Sequence, residues 1–244
     1  MIAMLGMYDR PETAAANDRL WQAIRGNLGF GPVALTRDRD FFDIWRARDL
    51  VFAQTCGMPF RLELHARVQL VGTPDYGLPD CPPGFYNSVI VARRDAGDVT
   101  LTELCDGVFA YNEPVSQSGW AAPMVHMQAL GLTPNQTLQT GAHILSAQAV
   151  ATGKADFAAL DALTWALIQR YDAFADDLQV IAKTTPTPTL PFITGPGQRV
   201  DVIRAATIKA IANLTDADRS TLCLWGLTEI PASDYLAVPN PRKT

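Results

Sequence analysis

Two serines stand one residue apart in Ser116-Gln117-Ser118-Gly119, where an apolar run gives way to a helical pattern. The first turn of a helix carries unpaired N–H groups and about half a positive charge. Hydroxyls and N–H groups together can hold a tetrahedral oxyanion without lysine, each hydrogen bond to a charged group being worth roughly 1.5 to 3 kcal/mol. The same serines would equally serve as plain helix caps. Four further segments place small polar residues behind a predicted strand: Met7-Tyr8-Asp9, Gln54-Thr55-Cys56-Gly57, Thr140-Gly141-Ala142-His143 and Asp161-Ala162-Leu163-Thr164. His143 can donate to an anion from one ring nitrogen. Tyr8 offers a hydroxyl or a ring wall, and Gln54 and Thr55 complete the candidate set. Asp161 would repel an anion, so it either caps the helix after it or holds an amine on the ligand.

Other chemistries leave fainter marks. Cys56, ahead of a short predicted helix that would lower its pKa, and His143 form a conceivable nucleophile and base on a phosphorylated or pyrimidine-like compound. No local signature ties the two together, so no catalytic residue is assigned. The four cysteines (Cys56, Cys81, Cys105, Cys223) contain no Cys-x-x-Cys pair, and the three histidines (His65, His126, His143) lie far apart. Neither a metal nor a cofactor is expected. A Cys56–Cys81 disulfide would need an oxidising compartment. Gly195-Pro196-Gly197 is a turn, and no dinucleotide, Walker or His-Glu-x-x-His motif occurs.

Composition narrows the classes further. Across 244 residues the chain is 48% hydrophobic and 18% charged, which excludes a disordered chain. A net charge of −5 argues against nucleic-acid binding, which rests on neutralising phosphates over a basic face. No apolar run approaches the ~18 to 20 residues of a membrane span. The opening Met-Ile-Ala-Met-Leu-Gly-Met-Tyr-Asp lacks the layout of a secretory signal and reads as a strand. The protein therefore stays inside the cell, or the chain begins after a leader.

Short apolar runs alternate with helical patterns along the chain. Strands are expected at Ile2 to Met7, Val33 to Leu35, Leu50 to Ala53, Val68 to Val71, Ser88 to Ala92, Val108 to Tyr111, Phe157 to Leu160 and Val180 to Ala182. Asp9 and Glu12 have capping-box spacing for a first helix that has Pro11 in its first turn and stops at Gly29. Arg37-Asp38-Arg39-Asp40 reads as a solvated turn. Helices are further expected over Asp40 to Arg46, to Leu130 from the serine turn, over His143 to Thr152 and Leu163 to Tyr171, and over 199–213 and 216–227. The pattern predicts an α/β architecture with mostly parallel sheets covered on both faces. Extended stretches near Arg93 to Thr100 and Thr184 to Pro191 divide it into two lobes, 1–96 with 184–244 and 97–183, with two crossings and a central ligand cleft.

The ordered set Met7-Tyr8-Asp9, Gln54-Thr55-Cys56-Gly57, Val71-Gly72-Thr73-Pro74, Tyr86 to Val91, Ser116 to Gly119, Gly141-Ala142-His143 and Ala155 to Asp161 spans nearly the whole chain. It resembles the phosphate/phosphite/phosphonate substrate-binding proteins of ABC transporters, which have the type 2 periplasmic-binding-protein fold. The resemblance implies a monomeric, non-enzymatic receptor that closes on a small oxyanion and delivers it to an ABC permease. It also implies a periplasmic location, with the cytoplasm as the alternative for a chain lacking a leader. Ser116, Gln117, Ser118 and His143 match the family's phosphonate contacts. Tyr8 and Asp161 match its residues for the amine of an aminophosphonate. An enzyme on the same fold, using Cys56 or His143, and an intracellular ligand sensor are the alternative functions.

Overall fold

The computed structural model describes residues 1–242. In chain order the first stretch holds β1 (Ile2–Met4), α1 (Ala14–Leu28), α2 (Phe41–Trp45), β2 (Leu50–Gln54), α3 (Gly57–Leu62) and β3 (Gln69–Asp75). After β4 (Phe85–Tyr86) come β5 (Ser88–Arg93), α4 (Leu101–Leu104), β6 (Val108–Tyr111), α5 (Ala122–Ala129) and β7 (Gln136–Gln139). They are followed by α6 (His143–Ala151), β8 (Phe157–Asp161), α7 (Ala162–Tyr171) and β9 (Leu178–Lys183). The chain closes with β10 (Thr187–Pro188), β11 (Phe192–Thr194), α8 (Val200–Ala212), α9 (Asp216–Leu222), β12 (Gly226–Thr228) and α10 (Ala232–Ala237). None of the described helices is long and apolar enough to cross a membrane.

Two units emerge. One comprises Met1–Phe85 with Pro188–Ala237, the other Tyr86–Thr187 with the segment from Val238. The expected division at 96 and 184 therefore moves to 85 and 187. The reason is β5, which pairs with β8 and β9 and so belongs with the second unit. The chain also passes back to that unit at its end, where Arg242 N–H donates to Gln128 Oε1 at 2.9 Å. β4 and β10, at the two earlier crossings, pair with each other.

The first unit is built on a sheet of order β1-β2-β11-β3-β12. β1 and β2 run parallel, whereas β11 runs against β2 and β3, and β12 against β3. The second sheet, β7-β6-β8-β5-β9, is mixed in the same way, with β5 antiparallel to both neighbours. The expected mostly parallel arrangement is thus corrected to mixed sheets. A strand–helix–strand connection imposes parallel pairing, but β5 and β11 enter straight from a crossing, with no intervening helix to set their direction.

Both faces of the second sheet are covered. Along β8, Phe157 and Ala159 pack with Phe109, Met124 and Met127, while Ala158 and Leu160 pack with Val150, Trp165 and Ile168. Side chains of a strand alternate between faces, so a strand buried on both sides reads as one continuous apolar run. In the first unit Ile2, Met4, Trp45, Ala53, Phe60 and Ile193 share a core with Tyr235 of α10.

Several local expectations change. The first helix begins at Ala14 behind Thr13, not at a capping box of Asp9 and Glu12. Asp9 instead accepts from Asn17 Nδ2 at 3.0 Å and from Arg37 Nε at 2.6 Å, and Glu12 is taken by Arg10 at 2.6 Å. Arg37 also reaches Asp18 at 2.8 Å, and Asp40 caps α2 through the Phe42 and Asp43 N–H groups. Arg37 therefore ties the loop to α1, while all four residues at 37–40 stay exposed, as a solvated turn would. Val33 to Leu35 forms no strand, β7 replaces an unassigned stretch, and residues 223–227 leave the helix after Cys223 turns left-handed at φ 50°. No disulfide joins the four cysteines.

Candidate functional site

The strand directions decide where the polar segments gather. In the second unit β6, β7, β8 and β9 end, and β5 begins, on the same sheet edge, as the Tyr111–Gln139, Ser88–Asp161 and Val89–Lys183 pairs show. That edge therefore carries Asn112 to Gly119, Thr140 to His143, and Asp161 together. Thr140 and Gly141 N–H groups donate to Tyr111 and Asn112 carbonyls at 2.9 and 3.0 Å, which fixes the turn ahead of α6.

The serine segment forms one wide turn of π-helix, Gln117–Ala121, before α5 begins. Its first ring closes from Ala121 N–H to the Ser116 carbonyl at 3.0 Å, so the Gln117 and Ser118 N–H groups precede any intrahelical bond. Ser116 Oγ accepts from Gly119 N–H at 3.0 Å. Trp120 anchors the turn to the sheet, its ring 4.5 Å from Tyr111 and 6.3 Å from Phe109. Ser118 Oγ lies 3.1 Å from His143 Nε2, which joins two sequence candidates that are 25 residues apart.

His143 is half-buried at the start of α6, and desolvation lowers its imidazole from 6.5 to about 4. The Ala159 backbone opposes that shift in part. At neutral pH the ring is uncharged.

Asp161 ends β8, and its Oδ1 accepts from Leu163 and Thr164 N–H at 2.8 and 3.1 Å. This is an N-cap for α7, the plainer of its two sequence readings. Asp161→Ala should lower stability by about 1 kcal/mol in urea denaturation, and Asp161→Asn by less. A selective loss of aminoalkylphosphonate affinity in Asp161→Asn, with methylphosphonate affinity unchanged, would assign it the amine role as well.

In the first unit the ends of β1, β2 and β3 and the start of β11 share an edge. Tyr8 packs edge-on against Tyr76, ring centres 5.4 Å apart. Gln54 Nε2 donates to Tyr76 Oη at 2.8 Å and to the Leu190 carbonyl at 3.0 Å, so its amide hydrogens are spent inside the unit. Thr55 is fully buried, its N–H held by the Pro191 carbonyl at 3.1 Å. Gln54 and Thr55 are thus buried behind the edge, where Tyr76 packs beside Tyr8. Tyr76 lies in a Gly/Pro-rich stretch without a periodic pattern, so only its position directly behind β3 marks it. Among the described residues no cluster of His, Cys, Asp and Glu is arranged to hold a metal.

A family model described as ABC transporter, phosphonate, periplasmic substrate-binding protein matches residues 49–234, well over half the chain. The chain belongs to this family. By sequence, no curated protein matches this phosphonate-binding family member. Its fold is that of the periplasmic binding proteins. PhnD1 of Prochlorococcus marinus, solved with methylphosphonate, superposes with a TM-score of 0.77 at 13% identity over 96% of this chain and 93% of its own. A binding-protein component of an ABC phosphonate transporter from Pseudomonas aeruginosa gives 0.72 at 16% identity, over 96% and 83%. MatC of Rhodopseudomonas palustris, solved with malate, gives 0.65 at 12% identity, over 93% and 89%. At such identities the structures establish the fold of the family member and leave its ligand to its own residues.

Proposed function

We propose that this protein is a periplasmic receptor that captures a small oxyanion, a phosphonate, phosphite or phosphate, for an ABC-type permease. The observation that carries the reading is the Ser116–Gly119 turn joined to His143 on one sheet edge of a phosphonate-family chain. The Gln117 and Ser118 N–H groups and the Ser116 and Ser118 hydroxyls are the proposed oxyanion donors, with His143 orienting Ser118. Tyr8 is the proposed contribution of the first unit. Bending at the crossings after Phe85 and Thr187 would close the units on the ligand.

The reading involves binding without chemistry. Cys56 is buried ahead of α3 and His143 Nε2 faces Ser118 Oγ, and the reading gives neither Cys56 nor His143 a catalytic role.

Neutral donors can hold an anion because they are already oriented, so little entropy is lost on binding. Isothermal titration should give micromolar or tighter binding for at least one of methylphosphonate, phosphite and phosphate. Ser118→Ala should weaken it roughly tenfold, one hydrogen bond to a charged group. No heat with any of the three at millimolar concentration would sink the receptor reading.

A further inference from the structure

Asn112 ends β6, and neither the residue patterns nor the candidate set assigns its side chain a task. Its Oδ1 is buried and accepts no hydrogen bond. The atom is wedged against Gly119, where an added Cβ would overlap it and would stand 3.1 Å from His143 Cε1. Asn112 thus packs beside the Ser118–His143 pair. An amide carbonyl tolerates the weakly acidic Cα–H of glycine as a neighbour. With the amide turned over, hydrogen would face hydrogen there, so the carbonyl points inward and the amide N–H2 group outward.

That outward nitrogen donates to no acceptor among the described residues, and it is not among the buried polar atoms lacking a partner. It is therefore open to solvent, in a residue that is half-buried as a whole. The backbone beneath it is held, because the Asn112 carbonyl accepts from Gly141 N–H at 3.0 Å. The result is a two-hydrogen donor at fixed position on the edge that carries Ser118 and His143.

We propose that Asn112 is a ligand-contacting residue, its amide N–H2 donating to an oxygen of the bound oxyanion beside Ser118. The inference rests on the oxyanion reading above. It adds a specificity element: position 112 admits an anion because an uncharged donor, and not a carboxylate, faces it.

Asn112→Asp tests this, since it is nearly isosteric and can keep its inward oxygen while turning the outward donor into an anionic oxygen. At pH 7.5 the variant should bind methylphosphonate at least thirtyfold more weakly, an estimate for lost donation plus like-charge repulsion. Its unfolding midpoint should stay within about 2 °C of wild type. The gap between wild type and variant should narrow toward pH 4.5 as the new carboxyl takes up a proton. A structural role would produce no such convergence. Asn112→Ala, which removes the donor and adds no charge, should weaken binding about tenfold and decides the matter if the Asp variant unfolds early.

Wild-type affinity in a folded Asn112 variant, alongside a weakened Ser118→Ala, would overturn the role of Asn112 and leave the receptor reading standing. Failure of the wild type to bind methylphosphonate, phosphite or phosphate would remove the receptor reading, and the Asn112 assignment with it.

Discussion

A Gly119→Val protein is expected to show no measurable methylphosphonate binding and to unfold at lower urea concentration than wild type. Gly119 is buried inside the serine turn, and a Cβ there would overlap Asn112 Oδ1, approach Asn112 Cγ to 2.9 Å and approach His143 Cε1 to 3.1 Å. Asn112 is tied to the sheet edge through Gly141, and His143 begins α6, so neither has an easy retreat. Overpacking of this kind costs about 1 to 3 kcal/mol, and a branched side chain sits at the upper end. Relief would come from lifting the turn, which breaks the Gly119–Ser116 and Ser118–His143 hydrogen bonds at 3.0 and 3.1 Å. On the receptor reading, the donors meant for the ligand would be displaced with them. Losing two bonds to a charged group amounts to a drop on the order of a thousandfold or more in affinity.

Gly26→Ala, in α1 with open space around it, is the control and should be neutral or slightly stabilising. Titration calorimetry and urea denaturation read both quantities. A Gly119→Val protein that binds as wild type would show that the turn does not position the ligand.

Acid should destabilise the protein through His143. Its imidazole titrates at about 4 in the folded protein, because burial disfavours the charged ring, against about 6.5 unfolded. Above pH 6.5 the ring is neutral in both states and its contribution is complete. Between 6.5 and 4 the unfolded chain binds more protons, so stability falls with pH. Below about 4 the loss levels off, and its full size is up to about 3 kcal/mol. Carboxylates titrate in the lower part of the same window, so the test is a difference. Urea denaturation of wild type and His143→Gln from pH 7.5 to 4 should show a shallower slope for the variant. Identical slopes would mean that the ring is not desolvated. Saturating methylphosphonate should reduce the wild-type loss, since a bound anion favours the protonated ring.

Much of the local structure was written in the chain. The run Phe157 to Leu160 with Asp161 behind it specifies a buried strand and the cap of α7, because apolar continuity and a carboxylate at a helix start are short-range signals. The hydroxyl pair at Ser116 and Ser118 and the helix start at His143 were legible for the same reason. So was the family, since its motifs follow one another in order along the chain.

Other features required partners that no short window contains. The direction of β5 and β11 depends on which strands receive them after a crossing, and a two-residue-period pattern is the same whichever way a strand runs. Asp9 gave up its expected capping role because Arg37, 28 residues on, competes for its carboxylate. The meeting of Ser118 with His143, the packing of Asn112 on Gly119 and the pairing of Tyr76 with Tyr8 and Gln54 are contacts across strands. Residue types and their spacing determined which groups were available to hold an anion. Only the register and direction of the strands decided which of those groups share an edge, because hydrogen-bonded pairing between distant segments sets those distances.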